Sequence, residues 1–120
     1  MPNLFKDIRD ALKNRPNIYS LCGERIYYLQ PIREQKEPFI IFKRQNETSS
    51  LVNTNEKIEI TIFCEDTEDI LTTCEEIKTA IKDFSIEKFF HTSFVACTDG
   101  SERLENGFIF STLIFILQKT

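Results

Sequence analysis

The sequence predicts an α+β domain with a mainly antiparallel sheet of about five strands and two helices packed on one face. Three patterns predict this class. Residues 57–64 alternate between apolar and other side chains over eight positions, which is the two-residue period of a half-buried strand. An amphipathic helical pattern follows at once, and a strongly apolar segment ends the chain. With a short N-terminal helix, the predicted order is α-β-β-β-α-β-β.

Two segments have the three-four spacing of amphipathic helices. Residues 3–14 form the first, with Asn3 as N-cap, and Pro16 ends it because proline disfavours helical geometry at the preceding residue. Residues 18–22 are expected to be a short apolar connection. The second helix covers about residues 68–84 after an N-cap at Asp66 or Thr67. Its predicted apolar stripe consists of Ile70, Leu71, Cys74, Ile77, Ile81 and Phe84.

Five segments have strand patterns: residues 24–30, 39–43, 57–64, 89–98 and 107–118. The second and third should pair as one hairpin, and the fourth and fifth as another, with a turn at Asp99-Gly100. Apolar residues occupy both parities of the last strand. Both of its faces should therefore be covered, one by the helices and the other by a neighbouring subunit.

Composition narrows the class of protein. The 120 residues fit a single domain spanning residues 1–120. Eleven phenylalanines and no tryptophan indicate an aromatic core or an apolar contact surface. The net charge of −4 argues against broad nucleic-acid binding, which needs clustered basic residues. No apolar run reaches the roughly 20 residues of a membrane helix, so the protein is expected to be soluble and intracellular.

No pattern indicates chemistry at an active site. The four cysteines lack the close pairing of zinc ligands, and His91 is the single histidine. Cys64 and Cys74 occupy apolar positions typical of buried thiols. The acidic residues 65–69 are explained by helix capping. We therefore expect no metal, no cofactor and no enzymatic activity.

Two segments are candidates for contact with other subunits. Residues 45–56 form a polar stretch longer than most hairpin connections, which indicates either a functional loop or a disordered one. Its apolar pair favours an arm ordered by a partner. The Phe-Phe pair at the start of the fourth strand either exposes one aromatic ring as an interface anchor or is buried in a bent segment. The predicted interface residues are Asn46, Glu47, Leu51, Val52, Asn53, Phe89 and Phe90.

The order of several short motifs resembles the tail terminator, or tail-completion, proteins of long-tailed bacteriophages and prophages. The motifs are Gly23-Glu24-Arg25-Ile26-Tyr27, then Pro38-Phe39-Ile40-Ile41-Phe42, then Ile58-Glu59-Ile60-Thr61-Ile62-Phe63 followed by a helix. Each motif is weak alone, and the ordered set, which covers nearly the whole chain, is more specific.

The resemblance implies a non-enzymatic virion protein. Members of this family form a six-membered ring that caps the tail tube, ends its growth and presents a surface for head-tail joining. The implied partners are further copies of the chain, the tail-tube protein and the head-tail connector, with DNA passing through the pore without specific binding. The implied location is the tail or neck of the virion, after synthesis in the bacterial cytoplasm.

Two other functions are compatible with the same patterns. One is a small intracellular α+β regulatory module that holds a peptide or small ligand on its sheet. The other is a different component of the head-tail connector.

Overall fold

The chain folds in the order α1 (Leu4–Lys13), α2 (Pro16–Cys22), β1 (Ile26–Tyr28), β2 (Phe39–Gln45), β3 (Asn55–Cys64), α3 (Thr67–Glu87), β4 (Phe90–Gly100) and β5 (Ile109–Lys119). The computed structural model describes residues 4–29, 37–45, 55–88, 90–100, 104 and 107–119. The predicted α+β class and the mainly antiparallel sheet are confirmed.

The five strands form one sheet in the order β1-β2-β3-β5-β4. β1 runs parallel to β2, and all other neighbours are antiparallel. Both predicted hairpin pairings are present, and the last strand of the chain lies between β3 and β4. The predicted turn at Asp99-Gly100 is wrong, because these residues still pair with Ser111 and Phe110 of β5.

The main core lies between the sheet and the three helices, which pack against one face. Alternate residues of β3 point into this core, as their two-residue period predicted. Fully buried members include Ile8, Leu12, Ile18, Ile40, Ile58, Ile60, Ile62, Ile77, Leu113 and Leu117.

The prediction of two helices missed α2, because residues 18–22 are helical rather than a connection. Pro16 ends α1 as expected, and it also occupies the first turn of α2. Proline suits that position because its missing N–H would have no partner within the helix there. Ile18 and Cys22 then fall on one face and are buried.

The first motif of the sequence joins α2 to β1 and β2. Gly23 follows α2 with a φ of +56°, a conformation that favours glycine. Arg25 donates from Nη2 to the carbonyl oxygen of Leu21 at 3.0 Å and from Nε to that of Pro38 at 2.8 Å. This guanidinium therefore fixes the angle between the helix and the edge of the sheet. The strand that follows is shorter than the predicted residues 24–30.

α3 begins and packs largely as its sequence predicts. The carboxylate of Asp66 accepts a hydrogen bond from the backbone N–H of Glu68 at 2.8 Å, which confirms the N-cap. The helix buries Ile70, Cys74, Ile77, Ile81 and Phe84 against the sheet. One member of the predicted stripe is wrong, because the side chain of Leu71 is 62% exposed. It lies about 100° around the helix from its neighbour Ile70, outside the buried stripe.

A charged group fastens α2 to α3. Arg15 approaches the Glu76 carboxylate at 2.7 Å, and Asn17 donates to the same carboxylate at 2.8 Å. The hydrogen bond from Arg15, followed by that from Asn17, lowers the pKa of Glu76 from its usual 4.5. Because the folded state holds the charged form, this contribution to stability is present above about pH 4.5 and is lost as the pH falls through the lowered pKa.

Replacing Glu76 with glutamine should therefore destabilise the protein at pH 7 and have progressively less effect as the pH falls below 4.5. Urea unfolding midpoints of the wild type and of Glu76→Gln, measured from pH 7 to pH 3, would test this. In an Arg15→Gln background the same change should alter the pH dependence much less. A constant difference between wild type and variant at every pH would contradict the expectation.

Candidate interaction site

The residues predicted as contacts are only partly within the described structure. Asn46, Glu47, Leu51, Val52, Asn53 and Phe89 lie outside the described residues. Phe90 begins β4 and pairs through its backbone with Lys119. The prediction of a loop over residues 45–56 is wrong at its ends, because Gln45 belongs to β2 and residues 55 and 56 belong to β3. Gln45 and Asn55 lie at this same end of the sheet, since Asn55 pairs with Gln118. The two predicted contact segments therefore connect to one end of the sheet.

The face of the sheet opposite the helices is apolar and carries no helix among the described residues. Antiparallel sheets with one solvated face normally place polar residues there. Here the outward positions of β5 include Phe110, Ile114 and Ile116, which are only half-buried in the single chain. We call this surface, formed by the outward-facing residues of β2, β3 and β5, the open face. The described chain supplies no second cover for β5, so the cover by a neighbouring subunit stays a prediction.

One end of the open face holds an aromatic cluster. Phe39 stacks on Phe63 with ring centroids 4.6 Å apart, and Phe108 meets Phe39 edge-on at 5.7 Å. Tyr27 and Phe110 extend the cluster on either side. Phe39 and Phe108 are buried there, away from the core beneath the helices. The cluster is therefore a second, smaller core on the other side of the sheet.

The polar groups of the open face are paired across neighbouring strands. Register places Lys43 opposite Glu59, and their side chains form an ion pair at 3.3 Å. Thr61 lies opposite Thr112, and the two hydroxyl oxygens are 2.9 Å apart. Removing water from polar groups that already have hydrogen-bonding partners costs less free energy than removing it from unpaired ones. This surface can therefore be covered at a lower cost than one with unpaired polar groups.

A shallow concavity of about 600 Å³ lies on the open face. Apolar side chains and the polar pairs both contribute to it. Its lining consists of Leu29, Ile41, Lys43, Glu59, Thr61, Phe63, Leu104, Phe110 and Thr112. The sequence signalled this surface through the apolar residues on both parities of β5 and of residues 39–42 in β2.

The two edges of the sheet differ. β1 is three residues long, and Arg9 Nε donates to the carbonyl oxygen of Ile26 at 3.1 Å. β4 is eleven residues long, and no charged residue occurs between positions 90 and 98. Phe94 and Val95 are exposed there, beside a register shift between Phe94 and Ala96. Edge strands are commonly shielded by charge, short length or a bulge, so β4 relies on the bulge alone.

Chemical groups suited to catalysis or metal binding are sparse in the described part of the chain. Burial raises the pKa of Cys22 to about 12 and that of Cys64 to about 11, which keeps both thiols protonated. Cys74 is buried and Cys97 is exposed. The described residues contain no group of three or more potential metal ligands. Among the described helices, none is both long and apolar enough to cross a membrane.

Comparison with known proteins gives a likeness of fold. No protein-family model matches the sequence, and no curated protein matches it. A solved structure described as the virion of a native gene transfer agent particle contains a chain that aligns with a TM-score of 0.57. The alignment covers 96% of this chain and 92% of that chain at 13% sequence identity. The two chains share a fold. At this identity the likeness extends to the architecture of the whole domain and not to individual residues.

Proposed function

We propose that this chain is a structural protein of a phage-like virion, and more specifically a tail terminator. It would assemble into a ring, with six copies as the expected number, on the end of the tail tube. The ring would end tube growth and provide the surface that joins the tail to the head connector. Its location would be the tail or neck, and DNA would pass through the ring without specific binding. No catalytic step is part of this role.

The observation that carries the proposal is the match of fold over almost the full length of a virion chain. A partial match would leave room for a common α+β substructure, whereas here 96% and 92% of the two chains align. The motif order of tail terminators adds support. In the structure those motifs form β1, β2 and β3, which are adjacent in the sheet, and β3 leads directly into α3.

The surfaces of the molecule suit a building block. An apolar face with paired polar groups and an edge strand without a charged residue between positions 90 and 98 both favour contact with other protein chains. A ring requires two different surfaces on each copy, so that each copy contacts the next in the same way. The open face and the helical face provide two such surfaces on opposite sides of the sheet.

Deletion of the gene for this chain from the phage-like genome that encodes it would test the role as tail terminator. We expect tails longer than normal and heads without tails in electron micrographs of the particles, with normal lengths restored by the gene supplied in trans. Tails of normal length that lack heads would instead place the protein elsewhere in the head-tail connector. Complete infectious particles without the protein would contradict both roles.

The concavity on the open face favours a second candidate, a regulatory module that binds a small ligand or peptide. Its volume of about 600 Å³ falls within the usual range for ligand sites, roughly 300–1,000 Å³. A ligand that binds the folded state raises the melting temperature in a saturable way. Such a shift with a metabolite or peptide, together with normal particles after gene deletion, would favour this candidate over the tail terminator.

A further inference from the structure

The start of α3 bears an exposed apolar side chain that nothing in the described chain covers. Leu71 is 62% exposed, and the acidic residues around it, Glu68 and Asp69 among them, are exposed as well. A large apolar group within a charged rim is typical of a contact that becomes buried in an assembly. We call the exposed side of residues 65–72 the acidic helix start.

The open face has the opposite character. It carries apolar side chains along β5, Ile114 and Ile116 among them, and its described charged residues are two lysines, Lys43 and Lys57, and one acid, Glu59. Lys43 keeps half of its side chain exposed while it pairs with Glu59. The face can therefore receive an apolar group surrounded by negative charge, because its described charged side chains carry a net positive charge.

Electrostatics also favour one possible partner of the open face over another. Two open faces packed against each other would bring together two surfaces that each carry a net positive charge, which is unfavourable. The acidic helix start of a second copy avoids this repulsion and supplies Leu71 for contact with the apolar side chains of β5.

We propose that the open face of one copy receives the acidic helix start of the next copy. This inference rests on the proposed function, and it names the subunit interface of the ring. The two surfaces lie on opposite sides of the sheet, so the contact joins unlike patches and each copy uses both once. Such a contact propagates from copy to copy and closes when the rotation between neighbours divides a full turn.

Four variants test the interface on the purified full-length chain. Ile114→Asp places a charge on the open face, and Leu71→Asp places one on the acidic helix start. Ile86→Asp is the matched control, because Ile86 is 68% exposed near the other end of the same helix. Val95→Lys places a charge on the β4 edge. Circular dichroism and melting temperature check the fold, and Ile41→Asp serves as a second face variant if Ile114→Asp does not fold.

Native mass spectrometry and analytical ultracentrifugation should find a closed oligomer for the wild type and for Ile86→Asp. Ile114→Asp and Leu71→Asp should each be monomeric. A mixture of these two variants should form a species of two chains and nothing larger. In that species the intact open face of the Leu71→Asp chain binds the intact helix start of the Ile114→Asp chain, and the two remaining surfaces are both defective.

Several outcomes would overturn the inference. A wild type that stays monomeric at millimolar concentration would do so, as would an oligomer that Leu71→Asp leaves unchanged. Loss of assembly in Ile114→Asp alone would indicate contact between two open faces, and loss in Val95→Lys alone would indicate pairing of β4 edges. A mixture that remains monomeric would exclude the head-to-tail contact. None of these results touches the role in the virion, which the gene deletion tests separately through tail length.

Discussion

Truncating Ile60 to alanine is expected to lower the free energy of unfolding by about 2–5 kcal/mol, the usual range for a fully buried isoleucine. Ile60 is completely buried on β3, the middle strand of the five. Its register partners, Phe42 on β2 and Leu113 on β5, are also buried under the helices. With close neighbours on both sides, the surroundings can collapse only partly into the space that the side chain leaves.

Urea unfolding followed by circular dichroism, at one fixed protein concentration, would measure this loss. The matched control is Ile86→Ala, because Ile86 is an isoleucine exposed on α3. Its removal should change the free energy of unfolding by no more than about 0.5 kcal/mol. Equal effects of the two substitutions would mean that β3 does not lie at the centre of the core.

The sequence predicted the parts of the fold that depend on local period. In β3 the isoleucines at every second position fixed which face is buried, since a shift by one residue would turn them all outward. In α3 the Asp66 N-cap and most of the apolar stripe were predicted correctly for the same reason. Leu71 was assigned wrongly because an apolar residue beside the stripe has the same composition signal whether it packs inward or contacts a partner.

Features that depend on distant parts of the chain were less predictable. The insertion of β5 between β3 and β4 is a matter of long-range pairing, and apolar residues on both parities indicated only that the strand is central. α2 was missed because Pro16 ends one helix and starts another, and a proline alone does not say which. The cross-strand pairs of the open face, Lys43 with Glu59 and Thr61 with Thr112, exist only once the register is known.

The candidate interaction site was also less predictable from the sequence than the local elements of the fold. The sequence favoured seven residues of the polar stretch and the Phe-Phe pair as contacts, and all seven except Phe90 lie outside the described structure. The sequence indicated a second covered face on β5, but the extent of the open face and the acidic helix start emerged only from the three-dimensional arrangement. On both surfaces, apolar side chains lack a cover within the described chain. A pattern of apolar residues in the sequence does not show whether such side chains lie in a core or on a contact surface.

The sequence left open whether its eleven phenylalanines form a core or a contact surface. A substitution of Phe39 distinguishes the two for the open face. Its side chain is only 6% exposed although it lies on the side of the sheet without helices. The rings of Phe63 and Phe108 pack against it at 4.6 Å and 5.7 Å. We therefore expect Phe39→Ala to lower the free energy of unfolding by about 3–5 kcal/mol, as for a phenylalanine in a conventional core.

Phe39→Leu is the matched control, because leucine keeps an apolar side chain of similar reach, and it should cost less than about 1.5 kcal/mol. Phe63→Ala should fall between the two, since Phe63 is half-buried in the single chain. Urea unfolding of the three variants at a concentration where the chain is monomeric would measure the contribution within one copy. A loss below about 1 kcal/mol for Phe39→Ala would mean that the aromatic cluster does little to hold the fold. The cluster would then belong with the contact surface, and its stabilising effect should appear only when neighbouring copies cover it.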